Sequence, residues 1–273
     1  MPGFVADRTA LITGATGGVG FEMARRLLAE EFTVVLHARS GRRGEEALEL
    51  LVKEGFDPLR MHLVLADFAR LGEVATMAAR VARAHRRIDV LVNNAAIAGT
   101  DERVLTEDGH EQTFQVNYLA PYLLTRMLEG ALAEARRSRV VNLSSALHRT
   151  GRIDWADLTR ERRYSRGAAY AQSKLALTMF TRALAEFGPD GLTAASVHPG
   201  VLDTPFLASC GCHARPAGEG ADTVVRLCPP DHAIVNGAYY DEHLVPAGPA
   251  APVNDRKAVH QLWRISERLT GLG

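Results

Sequence analysis

Short apolar runs and amphipathic stretches alternate through the first two hundred residues, and that alternation restricts the chain to one kind of sheet. The runs at 9–12, 33–38, 61–65, 88–92, 139–143 and 192–197 are apolar nearly throughout, which suits strands covered on both faces. Between them, helical spacing of apolar residues predicts helices over 21–30, 44–54, 71–86, 109–135 and 168–187, the fourth kinked near Pro121. In the first, Met23, Ala24, Leu27 and Leu28 share one face. A strand–helix–strand repeat makes neighbouring strands parallel, with right-handed crossovers. A seventh strand is expected at 237–241 and a last amphipathic helix at about 255–269. The expected architecture is α/β: one doubly wound parallel sheet of about seven strands with helices on both faces.

At 273 residues, one domain spanning 1–273 accounts for the whole chain. Lys and Arg balance Asp and Glu at 32 each, so charge makes no case for nucleic acid or an anionic membrane surface. The apolar runs fall short of the ~20 residues of a membrane-spanning helix. A strand by residue 9 leaves no room for a signal peptide, so a cytoplasmic protein is expected. Three cysteines, Cys210, Cys212 and Cys228, are too few for a disulfide framework. Cys210-Gly-Cys212-His213 lacks the ligand spacing of structural zinc sites, so no metal is expected.

A glycine-rich turn, Thr13-Gly14-Ala15-Thr16-Gly17-Gly18-Val19-Gly20, joins the first strand to the first helix. In that context such a turn is a dinucleotide-binding signature, and the sheet becomes a Rossmann fold. Gly14 allows the tight turn, Gly18 admits a pyrophosphate, and Gly20 lets the helix approach the sheet. The helix N-terminus favours the anion through free amides and its dipole. At the end of the second strand, His37-Ala38-Arg39-Ser40 offers no carboxylate for a ribose hydroxyl. Arg39 can instead clamp a 2′-phosphate, with Arg42 and Arg43 behind it, so NADP (NADPH) is the expected cofactor.

Tyr170 and Lys174 lie one helical turn apart and so share a helix face. A nearby cation favours a phenolate and would draw the tyrosine down from about 10 toward the working range of a general acid or base. The chain has three lysines (Lys53, Lys174 and Lys257), so an ammonium here is a marked choice. Alone, Tyr-x-x-x-Lys occurs by chance in many helices.

In company it carries more. Thr13-Gly14-x-x-x-Gly18-x-Gly20, Asp67 after the third strand, Asn93-Asn94-Ala95 after the fourth, Asn117, Ser144-Ser145, Tyr170-x-x-x-Lys174 and Pro199-Gly200-x-x-x-Thr204 follow one another in order. The set resembles the short-chain dehydrogenase/reductase family over nearly the whole chain. Val140 to Ser145 with His148, Ser196 to Gly200, and Leu262-Trp263-x-x-Ser266 resemble the branch holding retinol dehydrogenases, WW-domain oxidoreductases and protochlorophyllide reductases. The family's usual glycine after Asn-Asn-Ala is here Ala96, and the stretch after Thr204 is short for a substrate lid, at about 205–230.

The resemblance implies a NADP-dependent oxidoreductase acting on a carbonyl/alcohol pair, reducing a lipophilic ketone or aldehyde such as a natural-product intermediate. Tyr170 would move the proton while hydride passes to or from the nicotinamide. Lys174 would lower the tyrosine pKa and hold the ribose. A serine would orient the carbonyl, Ser145 or its neighbour Ser144, and Asn117 would help hold a proton-relaying water. Cofactor contacts would come from Gly14, Thr16, Gly18, Val19, Gly20, Arg39, Asp67, Phe68, Asn94, Ala95, Pro199, Gly200, Val201 and Thr204. His148 would border the substrate beside Ser145. The partner is a small molecule, with no nucleic acid and no membrane, and a homodimer through the Tyr170 helix is possible. Two other readings share the fold: a non-redox cyclase, dehydratase or isomerase using Tyr170 as acid or base, and a non-catalytic cofactor sensor, which would be expected to lose Tyr170 or Lys174.

Overall fold

A computed structural model describes residues 8–202 and 214–273. Seven strands form its sheet: β1 (Thr9–Ile12), β2 (Thr33–Ala38), β3 (Met61–Leu65), β4 (Val90–Asn93), β5 (Arg139–Leu143), β6 (Thr193–Val197) and β7 (Ala238–Tyr240). Their order is β3-β2-β1-β4-β5-β6-β7, and every pairing is parallel. The order reverses between β1 and β4, and the crevice at that switch point is where an open sheet of this kind takes a ligand.

The two-residue period of each strand divides the core. Leu11, Val35, Leu91 and Val140 face α3 (Leu71–Ala84) and the later helices α5 (Ala120–Met127) and α7 (Arg166–Phe187). Ala10, Ile12, Val34 and Val92 face the other way, toward α1 (Gly18–Ala29) and α2 (Gly41–Lys53). The apolar strands are buried on both sides, as their composition requires.

One helix expected whole is broken. In place of 109–135 the chain forms α4 (Gln112–Phe114), a π-helical turn (Gln115–Leu119), α5, and α6 (Glu129–Ala133). Gly109 at φ +80° and a bridge from Leu105 to Glu111 keep the preceding residues in a turn. Glu111 then caps α4, accepting from the Thr113 and Phe114 amides. Pro121 has no N–H to offer the Asn117 carbonyl, so the α-helical ladder cannot run through that position. The wider turn sits immediately upstream, and such turns often mark functional sites.

The segment expected as a lid carries α8 (Ala217–Val225). It packs on α1, where Arg26 bonds both Asp222 and the Gly218 carbonyl, so this part is anchored scaffold. The helix predicted over about 255–269 is α10 (Arg256–Thr270), preceded by the short α9 (Ala251–Asn254). Trp263 of α10 packs between Tyr122, Phe180 and Phe187, and the Arg126 guanidinium lies 4.4 Å above its ring. The Tyr118 hydroxyl and Ser266 Oγ meet at 2.6 Å beneath. α10 thus packs on α7, the helix expected to pair two copies.

Candidate active site

The candidate site is assembled from the C-terminal ends of β1 to β6. At the end of β1, Gly14 takes φ +66°, and a Cβ there would meet Ala95 Cα at 3.0 Å. A Cβ on Gly20 would collide with the Gly14 carbonyl. Both positions therefore need glycine. Gly17 and Gly18 are exposed, and α1 begins with no side-chain cap and no acid in its first turn. Such an N-terminus favours an anion through its amides and its dipole. Val19 buries its side chain in the core, so only its backbone could face a ligand.

Thr13 and Asn94 brace this turn from below. Thr13 Oγ1 accepts the amides of Asn94 and Ala95, each at 2.9 Å, and Asn94 Nδ2 donates to the carbonyls of Thr13 and Gly14. Asn94 holds the loop with its side chain. At the end of β2, Arg39 is exposed and has no bonded partner among the described residues, whereas Arg42 is paired with Glu46 at 2.9 Å. Asp67 uses one carboxylate oxygen to accept the Ala69 amide. Phe68 buries its side chain, stacked on His37 at 4.4 Å, so like Val19 it could face a cofactor only through its backbone. Its apolar ring gains more from the core than from an open crevice.

Ser144 and Ser145 follow β5 and have different fates. Ser144 is buried, with Oγ bonded to Thr178 Oγ1 at 2.7 Å. Ser145 is partly exposed, and its hydroxyl is hydrogen-bonded to Tyr170 while accepting the Leu147 amide at 3.2 Å. Of the two serines, Ser145 is the one bonded to Tyr170, whereas Ser144 is bonded to Thr178. Tyr170 and Lys174 sit on α7, whose N-cap is Ser165.

The electrostatics differ from expectation. Burial pushes the Tyr170 phenol up to about 12, with the Ser145 bond opposing it. Lys174 is buried and pushed down to about 7, because burial disfavours its charged form. Its Nζ donates to the Leu143 carbonyl at 2.7 Å and lies 5.7 Å from the Tyr170 ring centre. Burial thus dominates both groups, raising the phenol and lowering the ammonium.

Asn117 is fully buried within the π turn. It exchanges bonds with both the amide and the carbonyl of Ile97, at 2.8 and 2.9 Å, and donates to Ser173 Oγ at 3.1 Å. That side chain ties the loop after β4 to α7 and has no donor left for a water. His148 also departs from expectation, being fully buried in the 3₁₀ turn Ala146–Thr150. Its Nε2 accepts the Ala250 amide at 3.2 Å, so Nδ1 carries the proton and donates to the Ser145 carbonyl at 2.7 Å. With both nitrogens committed, it supports Ser145 from behind and does not border a substrate.

After β6, Pro199, Gly200 (φ +95°) and Val201 are held by Arg215, whose side chain bonds the Pro199 carbonyl and whose amide bonds that of Val201. Thr204, Cys210, Cys212 and His213 lie outside the described residues. Cys228 is buried, its thiol pushed up by desolvation. Among the described residues, no three metal-capable side chains come together, and no helix is long and apolar enough to cross a membrane.

Sequence alone also passed over a ladder between β4 and β5, Thr125–Asn93–Asn142–Thr181, with bonds of 2.8 to 3.1 Å. Its signal was the pair of asparagines in otherwise apolar strands, legible only once registry puts Asn93 beside Asn142.

Comparison with known proteins agrees with this geometry. Residues 8–213 match the family model described as short chain dehydrogenase. The chain is 35% identical to retinol dehydrogenase 14 of Mus musculus over 99% of this chain and 88% of that protein. It is 36% identical to polyprenol dehydrogenase of the same species, over 97% of this chain and 84% of that one. A crystal structure of a blue fluorescent protein from a metagenomic library, in complex with NADPH, superposes with a TM-score of 0.69 at 26% identity, covering 86% of this chain and 95% of that one.

Proposed function

Because the chain belongs to the short-chain dehydrogenase/reductase family, we propose that it is an NADPH-dependent reductase of lipophilic ketones or aldehydes. The observation that carries this reading is the hydrogen bond between Ser145 and Tyr170 at the sheet edge bearing the glycine turn, with Lys174 one helical turn below. That arrangement is an acid and a polarising hydroxyl facing one oxygen.

The residues fit a dinucleotide. The glycine crest admits a pyrophosphate at the α1 N-terminus, Asp67 flanks the end of β3, and Arg39, exposed and without a bonded partner among the described residues, can meet a 2′-phosphate. When bound, the nicotinamide supplies the hydride. The protein supplies the rest. Ser145, with Oγ already accepting from Leu147, points its proton at the carbonyl oxygen and stabilises the charge that builds there. Tyr170, held as a neutral phenol, donates its proton to that oxygen. Lys174, in its protonated form, offsets the negative charge left on the Tyr170 oxygen and ties α7 to β5 through the Leu143 carbonyl.

Two relatives named for retinol and polyprenol, both long apolar alcohols, support a lipophilic substrate. The structural neighbour holding NADPH supports that cofactor. The test is to follow NADPH absorbance with the purified protein against a panel of hydrophobic ketones and aldehydes beside simple sugars. Oxidation of NADPH by the hydrophobic set is expected. Turnover of sugars alone, or product formed with NADPH unchanged, would overturn the proposal.

A further inference from the structure

His37 occupies the last buried position but one of β2, at 3% exposure, where an apolar residue would be ordinary. Three elements meet on it. The Gly14 amide donates to Nδ1 at 3.1 Å, and Nε2 lies 2.9 Å from the Ala66 carbonyl. An amide can only donate, so Nδ1 is the bare nitrogen and Nε2 carries the proton given to Ala66. The ring is stacked on Phe68 at an interplanar angle of 17°. The backbone of the same residue takes the next amide of the turn, Ala15 N–H, on its carbonyl at 3.0 Å. One residue thus receives two successive amides of the glycine turn, one on its ring and one on its main chain.

We infer that His37 is a positioning residue for the dinucleotide, presetting the left-handed Gly14 turn by accepting its amide and joining it to the ends of β2 and β3. The inference rests on the cofactor reading above. Gly14 has no side chain to hold it at φ +66°, so without a partner its partly buried amide would be left unpaired or would rotate toward another acceptor. Either change moves the crest that must receive the pyrophosphate. The ring is kept neutral by burial, which pushes it down to about 4, with neighbouring Asp67 opposing. The acceptor is therefore present throughout the neutral range.

This role differs from that of Arg39, two residues on. Arg39 would meet only the 2′-phosphate, whereas the turn serves any dinucleotide. His37→Phe keeps a ring for the Phe68 stack and removes both hydrogen bonds. His37→Asn places a carbonyl oxygen where Nδ1 stands, and His37→Gln places its amide nearer Nε2. NADPH and NADH affinities, with KM and kcat, should be measured for all three beside wild type.

With the Gly14 amide left unpaired, His37→Phe should weaken both dinucleotides roughly tenfold or more. The loss should fall on the dinucleotide KM more than on kcat at saturation. His37→Asn should recover most of the affinity and His37→Gln little. His37→Phe binding both cofactors like wild type would overturn the inference. So would equal affinities for the Asn and Gln variants, which remain informative if the Phe variant fails to fold. Wild-type protein binding neither dinucleotide would instead overturn the cofactor reading itself.

Discussion

Lys174 Nζ donates to the Leu143 carbonyl at 2.7 Å, joining α7 to the last residue of β5 directly before the two serines. The lysine is thus a structural tie as well as a charge, and its protonation is finely balanced at about 7. The sign follows from burial: the folded protein releases this proton far more readily than the usual 10.5 of a lysine, so the charged form is lost as pH rises through 7. In the free enzyme, kcat/KM for carbonyl reduction should therefore fall above about pH 7. A profile flat from neutral to alkaline pH would remove Lys174 from the role assigned to it.

The two serines should separate cleanly. Ser145→Ala removes the hydroxyl beside Tyr170 and should cut kcat by about a hundredfold or more while the fold survives. Ser144→Ala removes a buried bond to Thr178 and should cost about 1 kcal/mol of stability, with most turnover kept. Reversed outcomes in paired kinetic and thermal measurements would exchange the assignments.

Tyr170→Phe keeps the ring and removes the transferable proton. Turnover should nearly vanish while NADPH still binds, as fluorescence titration would show. Wild-type hydride transfer in this variant would contradict the mechanism.

Arg39 has no bonded partner among the described residues, and Arg42 is already paired with Glu46. A charge-assisted phosphate contact contributes about 1.5–3 kcal/mol. Arg39→Ala should weaken NADPH roughly tenfold or more and leave NADH little changed. Equal losses for both would point to Arg43 or to the turn itself.

Trp263 seals α10 onto Tyr122, Phe180 and Phe187. Trp263→Ala should cost about 2–3 kcal/mol, since the ring is only partly buried. Deleting residues 255–273 should bare the aromatic face of α5 and α7 and drive association. Light scattering would show larger species for the truncated chain and a monomer for the whole one. A dimer of unchanged size for both would mean that copies pair elsewhere.

Local patterns carried much of this protein. Apolar runs such as Thr9–Ile12 and Arg139–Leu143 announced their strands, because a strand buried on both faces has nowhere to put a polar residue. Helix ends were read less well. The apolar spacing starts α7 at 168, whereas the Ser165 cap starts it at 166, and it predicts one helix kinked near Pro121 where Glu111, Pro121 and Leu128 divide the segment. The glycine turn and Tyr170-x-x-x-Lys174 were legible because their spacing is local and their residue types are few.

What only the tertiary structure decided depends on neighbours distant in sequence. Ser145 rather than Ser144 reaches Tyr170 because, in the extended backbone after β5, one hydroxyl meets Thr178 and the next meets Tyr170. His148 proved a brace because Ala250, 102 residues away, supplies the amide that occupies its ring. His37 gained a function through Gly14 and Ala66, and Tyr170 and Lys174 took their protonation from burial. Sequence spacing specifies which side chains share a local face. Desolvation, and the partners that long-range packing brings within 3 Å, belong to the folded chain alone.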